Sequence, residues 1–358
     1  MWISVSPLQQ SSFSVVSHNL LKRLGRHHEI YYLAIHYYGL PQEYENYTIL
    51  QFSDHKQITE YLRALRPEIT VIYQSPLFIK SISHCFDEIR MYSKLILYVP
   101  IEGYPITEDL SFMEKADLIL VPSKFSQKCL EKEGYKAEVL YHGVDTQIFK
   151  PLKPLDQKFS EPTFRLGTVA SHVWRKQITR LLDAYKLALQ KGLKNAEYYL
   201  TCTTYDSTKW MPNLNVYAQK MDIPVKISRT AYLNLPVQHE TIASFYNQLH
   251  LHLLPTSESF GLPNLEAMAC GTIPVVVNHG ASAEIVGDCG LYVNIEGYLA
   301  TSMGRFALLD ITDLANKILW ANQNRGVLLE LAKKSTEKAK LYTWEKAVKL
   351  LYRLIHRL

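Results

Sequence analysis

The sequence predicts an α/β protein with two parallel-sheet domains. Short runs rich in Ile, Leu, Val and Tyr recur along the whole chain, and segments of helical length separate them. Such alternation is typical of a parallel sheet covered by helices on both faces. The 358 residues suit about two domains. A stretch with two prolines and little periodicity, residues 150–156, divides the alternation and is the predicted linker.

The domain boundaries follow from the order of the predicted strands. Six strands are predicted before the linker, at residues 2–6, 29–35, 69–73, 94–100, 117–123 and 137–142. Six more are predicted after it, at residues 164–170, 196–202, 225–228, 251–254, 273–277 and 290–295. We therefore predict one domain over residues 1–150, a second over 151–340, and a terminal helix over 341–358.

Two of the predicted helices combine an apolar stripe with basic residues. The helix after the first strand carries a basic run at 22–28, and its apolar positions recur at helical spacing: Phe13, Val16, Leu20 and Leu24. A solvated face is the favoured interpretation of the basic run, and contact with a membrane surface is the alternative. The terminal helix begins after the capping residue Thr343. Its apolar stripe comprises Trp344, Val348, Leu351, Ile355 and Leu358.

Charge and cysteine content exclude several classes of protein. The net charge of +5 permits acidic partners such as nucleotide phosphates or anionic lipid headgroups, but gives no argument for nucleic acid. Five scattered cysteines without a C-x-x-C pair indicate neither a zinc site nor a disulfide framework, and they favour a reducing cytoplasm. We expect a cytoplasmic protein, since no signal peptide opens the sequence and no apolar run is long enough to span a bilayer. Peripheral contact with a membrane through the basic helices is the alternative location.

The most informative stretch is 257–271, which follows the predicted strand 251–254. It contains two glutamates, Glu258 and Glu266, with seven residues between them. Pro263 suits the first position of a helix and Gly271 suits its end. This predicts Glu258 in a loop and Glu266 in the first helical turn. Because helix side chains tilt toward the N-terminus, both carboxylates are expected to face one cleft.

A helix N-terminus beside two carboxylates suits a particular kind of ligand. Its free backbone N–H groups bind anions, and carboxylates accept hydrogen bonds from hydroxyl groups. A diphosphate flanked by two hydroxyl-rich groups would match both. The alternative is an ordinary strand–helix unit with solvated glutamates. Neither the Phe260–Gly261 pair nor two carboxylates are needed merely to turn a strand into a helix.

A second candidate anion site lies in the loop after the predicted strand 164–170. Arg175 and Lys176 stand near the N-terminus of the next predicted helix, where acidic residues are usually preferred. Two cations placed against the helix dipole suggest a bound anion, and two ordinary surface charges are the alternative.

The E-x7-E pattern with its Phe-Gly-Leu-Pro core resembles the donor site of retaining glycosyltransferases of family four, which have the GT-B fold. Residues 273–277 and 283–286 continue the same signature, and 122–126 and 142–145 resemble two further marks of the family. The resemblance implies two Rossmann-like domains that face a cleft, with the terminal helix crossing back to the first domain. It also implies transfer of a hexose-type sugar from a nucleoside diphosphate to an acceptor hydroxyl, with retention of anomeric configuration.

The resemblance also implies roles for individual residues. Glu266 would hold the ribose diol, and Glu258 would hold a hydroxyl of the donor sugar. Lys176 and Arg175 would neutralise the diphosphate. Backbone N–H groups would help at Phe260, Gly261 and Leu262, and the same pocket would be lined by Ser282 and Glu284.

This sequence departs from the family pattern at three places. Ser171 stands where the family usually has an arginine before the lysine. The family's glycine-rich loop near the acceptor is replaced by residues 9–12, which include Ser11 and Ser12 and no glycine. Glu102 stands about where many members present a histidine near the anomeric carbon. We take Glu102 as a candidate catalytic residue, with a solvated loop acid as the alternative.

No D-x-D occurs in the sequence, although transferases that hold a nucleotide sugar through a metal commonly use paired acids. We therefore predict a metal-independent enzyme without a cofactor, in which cations and a helix N-terminus neutralise the leaving group. The expected partners are a nucleotide-sugar donor and a carbohydrate, lipid or glycoprotein acceptor. Two alternatives stay open: a GT-B enzyme of another class, such as a phosphorylase or epimerase, and a non-catalytic nucleotide-sugar-binding or scaffolding protein.

Overall fold

The computed structural model of the chain describes residues 1–9, 11–202, 211–228 and 237–358. Two compact units divide it. Unit 1 comprises Met1–Gly143, Ser302–Gly304 and Thr343–Leu358, and unit 2 comprises Val144–Thr301 and Arg305–Tyr342. The predicted linker 150–156 lies within unit 2.

Unit 1 contains an eight-stranded sheet in which all adjacent strands are parallel except β3 and β4, which pair antiparallel. Its order is β3-β4-β2-β1-β5-β6-β7-β8. The strands are β1 Trp2–Val5, β2 Tyr31–Ile35, β3 Gln42–Tyr44, β4 Tyr47–Phe52, β5 Ile69–Tyr73, β6 Lys94–Tyr98, β7 Leu118–Val121 and β8 Glu138–Val139. All six predicted strands are present, and β3 and β4 were not predicted. β3 lies at the sheet edge with little buried surface, so its residues carry no apolar strand signal.

Unit 2 contains a six-stranded parallel sheet and a separate two-stranded sheet. The order of the larger sheet is β11-β10-β9-β12-β13-β14, and β15 pairs with β16. The strands are β9 Phe164–Val169, β10 Ala196–Thr201, β11 Val225–Ile227, β12 Leu251–Leu253, β13 Ile273–Val277, β14 Leu291–Val293, β15 Ile295–Thr301 and β16 Gly304–Leu309. The six predicted strands of this half are therefore confirmed, and the small sheet was missed.

Helices connect the strands in both units. They are α1 Ser12–Leu24, α2 Lys56–Leu65, α3 Pro76–Ser81, α4 Phe86–Tyr92, α5 Lys124–Lys132, α6 Leu155–Phe159, α7 Ile178–Gln190, α8 Leu214–Lys220, α9 His239–Gln248, α10 Leu262–Ala269, α11 Ala281–Val286, α12 Ile311–Gln323, α13 Arg325–Ala339 and α14 Trp344–Ile355. In the described part of the chain, no helix is both long and apolar enough to cross a membrane.

The apolar stripes of the helices cover the sheets. On α7, the residues Ile178, Leu181, Leu182 and Tyr185 are all buried in the core of unit 2. Each such side chain contributes about 1.5–3 kcal/mol when fully buried. The terminal helix α14 belongs to unit 1, as predicted, and packs beside α1.

Candidate active site

The candidate site lies at one edge of the unit 2 sheet, where three neighbouring parallel strands end. β12 pairs with β9 on one side and with β13 on the other. The loops that leave these strands, at 170–177, 254–261 and 278–280, therefore emerge side by side. This edge is where open α/β sheets place their ligands.

Glu258 is the centre of this edge. Its side chain is buried, with 6% of the residue exposed. The Lys176 ammonium, 82 residues away in sequence, donates a hydrogen bond to Oε1. A guanidinium nitrogen of Arg175 lies 3.6 Å from Oε2, and the Thr256 hydroxyl donates to Oε1 at 2.6 Å. The predicted cations and the first predicted carboxylate thus form one buried cluster.

The charge state of Glu258 follows from these neighbours. Burial favours the protonated carboxyl, but Lys176 and Arg175 outweigh it and lower the pKa of Glu258 below its usual value. Glu258 is therefore a carboxylate at neutral pH. A buried ion pair contributes little net stability, but removing one partner is costly because a buried charge is left uncompensated.

The cations sit differently from the sequence-based expectation. Arg175 and Lys176 lie in a separate 3-10 turn, Trp174–Lys176, and Gln177 comes between that turn and α7. Gln177 is left-handed, with φ of 52°. Its amide donates to the Ala307 carbonyl at 2.8 Å and accepts from the Leu309 N–H at 3.1 Å. β16 therefore anchors the turn that carries the cations.

Glu266 lies deeper in its helix than predicted. Helix α10 begins at Leu262, one residue before Pro263, so Glu266 is its fifth residue and the first turn contains no acid. The prediction of Glu266 in the first turn was wrong because Gly261 caps the helix with φ of 89°, which leaves Pro263 at the second position.

The described surroundings of Glu266 do little to stabilise a negative charge on its side chain. Within the described residues, its one hydrogen-bond donor is the Tyr246 hydroxyl, 3.3 Å from Oε2. Burial raises the pKa of Glu266 to about 8, and the Tyr246 contact opposes that rise. The two carboxylates of the motif therefore differ: Glu258 is held charged, whereas Glu266 is mostly protonated at pH 7.

Two glycines shape the loop that holds Glu258. Gly280 has φ of 74°, and a Cβ there would lie 2.9 Å from the carbonyl oxygen of Glu258. The N–H of Ala281 donates to that same carbonyl at 2.8 Å. A Cβ on Gly261 would lie 3.4 Å from the Ser282 hydroxyl. The loops after β12 and β13 are thus packed too closely at Gly280 for a larger residue.

A buried polar network supports α10, and sequence reasoning missed it. The Val169 N–H donates to Nε2 of His252 at 3.2 Å, so Nδ1 carries the proton and donates to the Asn264 side-chain oxygen at 3.0 Å. The Asn264 amide then lies 3.5 Å from the Ser282 hydroxyl. Burial lowers the pKa of His252 to about 4, which keeps the ring neutral. Ser282, a predicted donor-binding residue, is part of this network.

Lys158 is a second buried cation that the sequence did not reveal. Only 1% of the residue is exposed. Its ammonium donates to the Thr272 hydroxyl at 2.8 Å and to the carbonyls of Cys270 and Gly271 at 3.3 and 3.1 Å. These carbonyls follow α10, so Lys158 caps the C-terminal end of the helix that carries Glu266. Burial lowers the pKa of Lys158 to about 7.

The remaining predicted residues are distributed over both units. Phe260 and Leu262 are buried beside Gly261 in unit 2, and Glu284 is partly exposed on α11. Ser11 accepts a hydrogen bond from the Ser14 N–H at 3.1 Å and so caps α1. Ser12 is the exposed first residue of that helix, and Glu102 is partly exposed in the loop after β6. Gln10 lies outside the described residues.

Two units built on mostly parallel sheets, with a candidate site where neighbouring strands end, are typical of the GT-B fold. Residues 153–341, more than half of the chain, match the family model described as glycosyl transferases group 1. The chain therefore belongs to this family and is a glycosyltransferase. Membership of family four and the roles of the E-x7-E motif stay predictions. No curated protein matches the sequence significantly.

Solved structures share the fold over the full length of the chain. Sucrose-phosphate synthase from Thermosynechococcus elongatus has a TM-score of 0.74 and 16% identity, covering 99% of this chain and 98% of that chain. Anabaena HepE, solved with UDP and glucose, has a TM-score of 0.75 and 14% identity, covering 100% and 99%. The trehalose 6-phosphate synthase from Burkholderia multivorans has a TM-score of 0.70 and 11% identity, covering 98% and 96%.

Proposed function

We propose that this protein is a retaining, metal-independent hexosyltransferase that moves a sugar from a nucleoside diphosphate to an acceptor hydroxyl of a glycan, a lipid or a protein-linked sugar. One observation carries the proposal: Lys176 and Arg175 both contact the buried carboxylate of Glu258 at the strand edge. Cations and a carboxylate held together in this way match a ligand that joins a diphosphate to a hydroxyl-bearing sugar.

The cations are the groups that would bind the leaving diphosphate. Each charge-assisted hydrogen bond from Lys176 or Arg175 to a phosphate oxygen contributes about 1.5–3 kcal/mol. As the bond from the sugar carbon to the phosphate oxygen breaks, negative charge grows on the diphosphate and these contacts strengthen. Glu258, sharing its cations with the phosphate, would accept a hydrogen bond from a sugar hydroxyl.

Retention is proposed to proceed on one face of the sugar. The acceptor oxygen would bond to the anomeric carbon on the side that the diphosphate leaves, and the acceptor proton would pass to the departing phosphate oxygen. This route needs no enzyme nucleophile. The cations contribute by stabilising the separated diphosphate while the new bond forms.

Glu266 is proposed to hold the ribose diol, and its raised pKa makes this testable by pH. The ribose hydroxyls donate to the carboxylate form, so donor binding favours release of the Glu266 proton. The affinity for an intact nucleotide sugar should therefore rise with pH, by at most roughly tenfold per pH unit, and should level off above about pH 8. Titration calorimetry from pH 6 to 9 measures this dependence. An equal slope in Glu266→Gln would assign the proton to another group.

Transfer should not require a divalent metal. The reason is the absence of D-x-D together with the presence of Arg175 and Lys176, which supply positive charge for the leaving group. Full turnover after exhaustive chelation is the expected result. Loss of turnover that only Mg²⁺ or Mn²⁺ restores would contradict it.

A thermal-shift panel of UDP-, GDP- and ADP-sugars tests donor binding. UDP-glucose is the first choice, because HepE was solved with it. A ligand at about 100-fold its dissociation constant adds about 2.7 kcal/mol of stability. One nucleotide sugar should raise the unfolding temperature clearly more than the corresponding free sugar does. Binding without turnover would support the non-catalytic alternative, and turnover with inorganic phosphate as acceptor would support a phosphorylase.

A further inference from the structure

Unit 1 has a strongly basic surface that two distant segments of the chain build together. Helix α1 packs beside the terminal helix α14. The Arg23 guanidinium donates to the Glu345 carboxylate at 2.9 Å, near the start of α14. The His28 ring lies 5.5 Å from the Tyr352 ring and 5.9 Å from the His356 ring, near its end. The segment from Arg23 to His28 thus contacts α14 near its start and near its end.

The positive charge of the protein is concentrated on this surface. Segments 22–29 and 345–357 together contain seven Lys or Arg and two Glu. Their net charge of +5 equals the formal net charge of the whole chain, which has 39 Lys or Arg and 34 Asp or Glu. The rest of the protein is therefore balanced. We call this surface the basic face. Its cations are Lys22, Arg26, Lys346, Lys349, Arg353 and Arg357, and Arg23 forms an ion pair with Glu345.

The basic face also exposes apolar groups. Helix α14 buries Trp344 and Leu351, which turns its cations to the outside. Two large side chains close to these cations in the sequence are also exposed: Tyr352 is 41% exposed and Leu358 is 39% exposed. A surface with exposed cations and interspersed aromatic or aliphatic side chains is typical of interfacial membrane binding.

We propose that the basic face binds the surface of an anionic membrane, with Tyr352 and Leu358 entering the interfacial layer. A bilayer offers negative headgroups above an apolar interior, which complements both features of this surface. A nucleic-acid duplex complements only the charge. This proposal is independent of the proposed sugar transfer, because it rests on unit 1 residues that have no part in the candidate site of unit 2.

Vesicle co-sedimentation of the full chain tests the proposal. The protein should pellet with vesicles that contain about 30 mol% phosphatidylserine, but not with pure phosphatidylcholine vesicles, at about 0.1 M salt. Removing three cations in Lys346→Gln, Lys349→Gln and Arg353→Gln together should weaken binding on the order of a hundredfold, since each basic residue near the surface contributes roughly fivefold. Tyr352→Ser should weaken binding severalfold without changing the charge.

A matched control is available on and next to α13 in unit 2. Lys333→Gln, Lys334→Gln and Lys340→Gln remove the same charge from exposed sites. This control should retain binding to anionic vesicles, and its unfolding temperature and that of the test variant should stay near the parent value. Equal loss in both triple variants, no preference for anionic vesicles, an unchanged Tyr352→Ser, or tighter binding to duplex nucleic acid would each overturn the proposal.

Discussion

Replacing Lys176 by alanine should reduce turnover by about 100- to 1000-fold, the range found when one preorganised donor to developing charge is removed. Lys176 is buried against Glu258, and its turn is fixed by Gln177. The effect should appear mainly in kcat, because charge on the diphosphate grows as the bond breaks. Steady-state kinetics with a saturating donor measures it.

The neighbouring cation gives an internal comparison. Arg175→Ala should lower turnover and donor affinity, but less than Lys176→Ala, since its side chain is more exposed and lies 3.6 Å from Glu258. Adding Ser171→Arg should recover part of the loss, because the new guanidinium starts from the strand end that usually supplies one in the family. Lys176→Ala should not recover in this way.

The free energy of unfolding of Lys176→Ala must be measured together with its turnover, because the substitution removes one partner of the buried pair between Lys176 and Glu258. Such a removal costs about 3–5 kcal/mol when the remaining charge is uncompensated. Here Arg175 and Thr256 stay on the Glu258 carboxylate, so the loss should fall at or below the low end of that range. Lys220→Ala, on the surface at the end of α8, should match the parent in both turnover and stability.

One outcome would remove Arg175 from the site. If Arg175→Ala has the turnover and donor affinity of the parent while Lys176→Ala has lost most of its turnover, Arg175 is only a surface residue.

Replacing Glu266 by alanine should weaken donor binding by roughly 30- to 1000-fold, or about 2–4 kcal/mol, since one or two charged hydrogen bonds are lost. Because the ribose belongs to the nucleotide, the free nucleoside diphosphate should lose affinity as well. A carboxylate that only supported α10 would not produce this loss. Titration calorimetry with the nucleoside diphosphate and the nucleotide sugar distinguishes the two roles.

The direction in which Glu266→Gln changes the free energy of unfolding shows whether Glu266 binds the ligand or supports the fold. The pKa of Glu266 is raised to about 8, so its contribution to folding is greatest below the unfolded-state pKa and is lost as pH rises through 8. Glu266→Gln should therefore lose affinity without losing stability at pH 8. Glu330→Gln, an exposed site on α13, is the control and should change neither property. Glu266→Ala that binds nucleoside diphosphate like the parent would refute the assignment.

The sequence alone is sufficient to predict six of the eight strands of the unit 1 sheet and all six strands of the larger unit 2 sheet. These strands are buried apolar runs, as in β13, where all five residues are buried. Such a signal is local and survives without knowledge of the neighbours. The edge strand β3 has no such signal, because its pairing with β4 depends on position in the sheet and not on burial.

The sequence indicates the residues of the candidate site but not their contacts. Glu258, Glu266, Arg175 and Lys176 were proposed from local patterns, although Arg175 and Lys176 lie in a separate 3-10 turn and not at the start of α7. The pairing of Lys176 with Glu258 across 82 residues depends on β9 lying beside β12, which the sequence does not state. Lys158 was missed for the same reason, since its acceptors, the Thr272 hydroxyl and two backbone carbonyls, lie more than 110 residues away in the sequence.

The most direct measurement of the central claim is transfer itself. The nucleotide sugar that gives the largest thermal shift would be incubated with a panel of hydroxyl-bearing acceptors, and the product examined by mass spectrometry and NMR. We predict one sugar added to an acceptor, one nucleoside diphosphate released, and the same anomeric configuration in donor and product. A product with inverted configuration, or sugar found only on inorganic phosphate, would contradict a retaining glycosyltransferase.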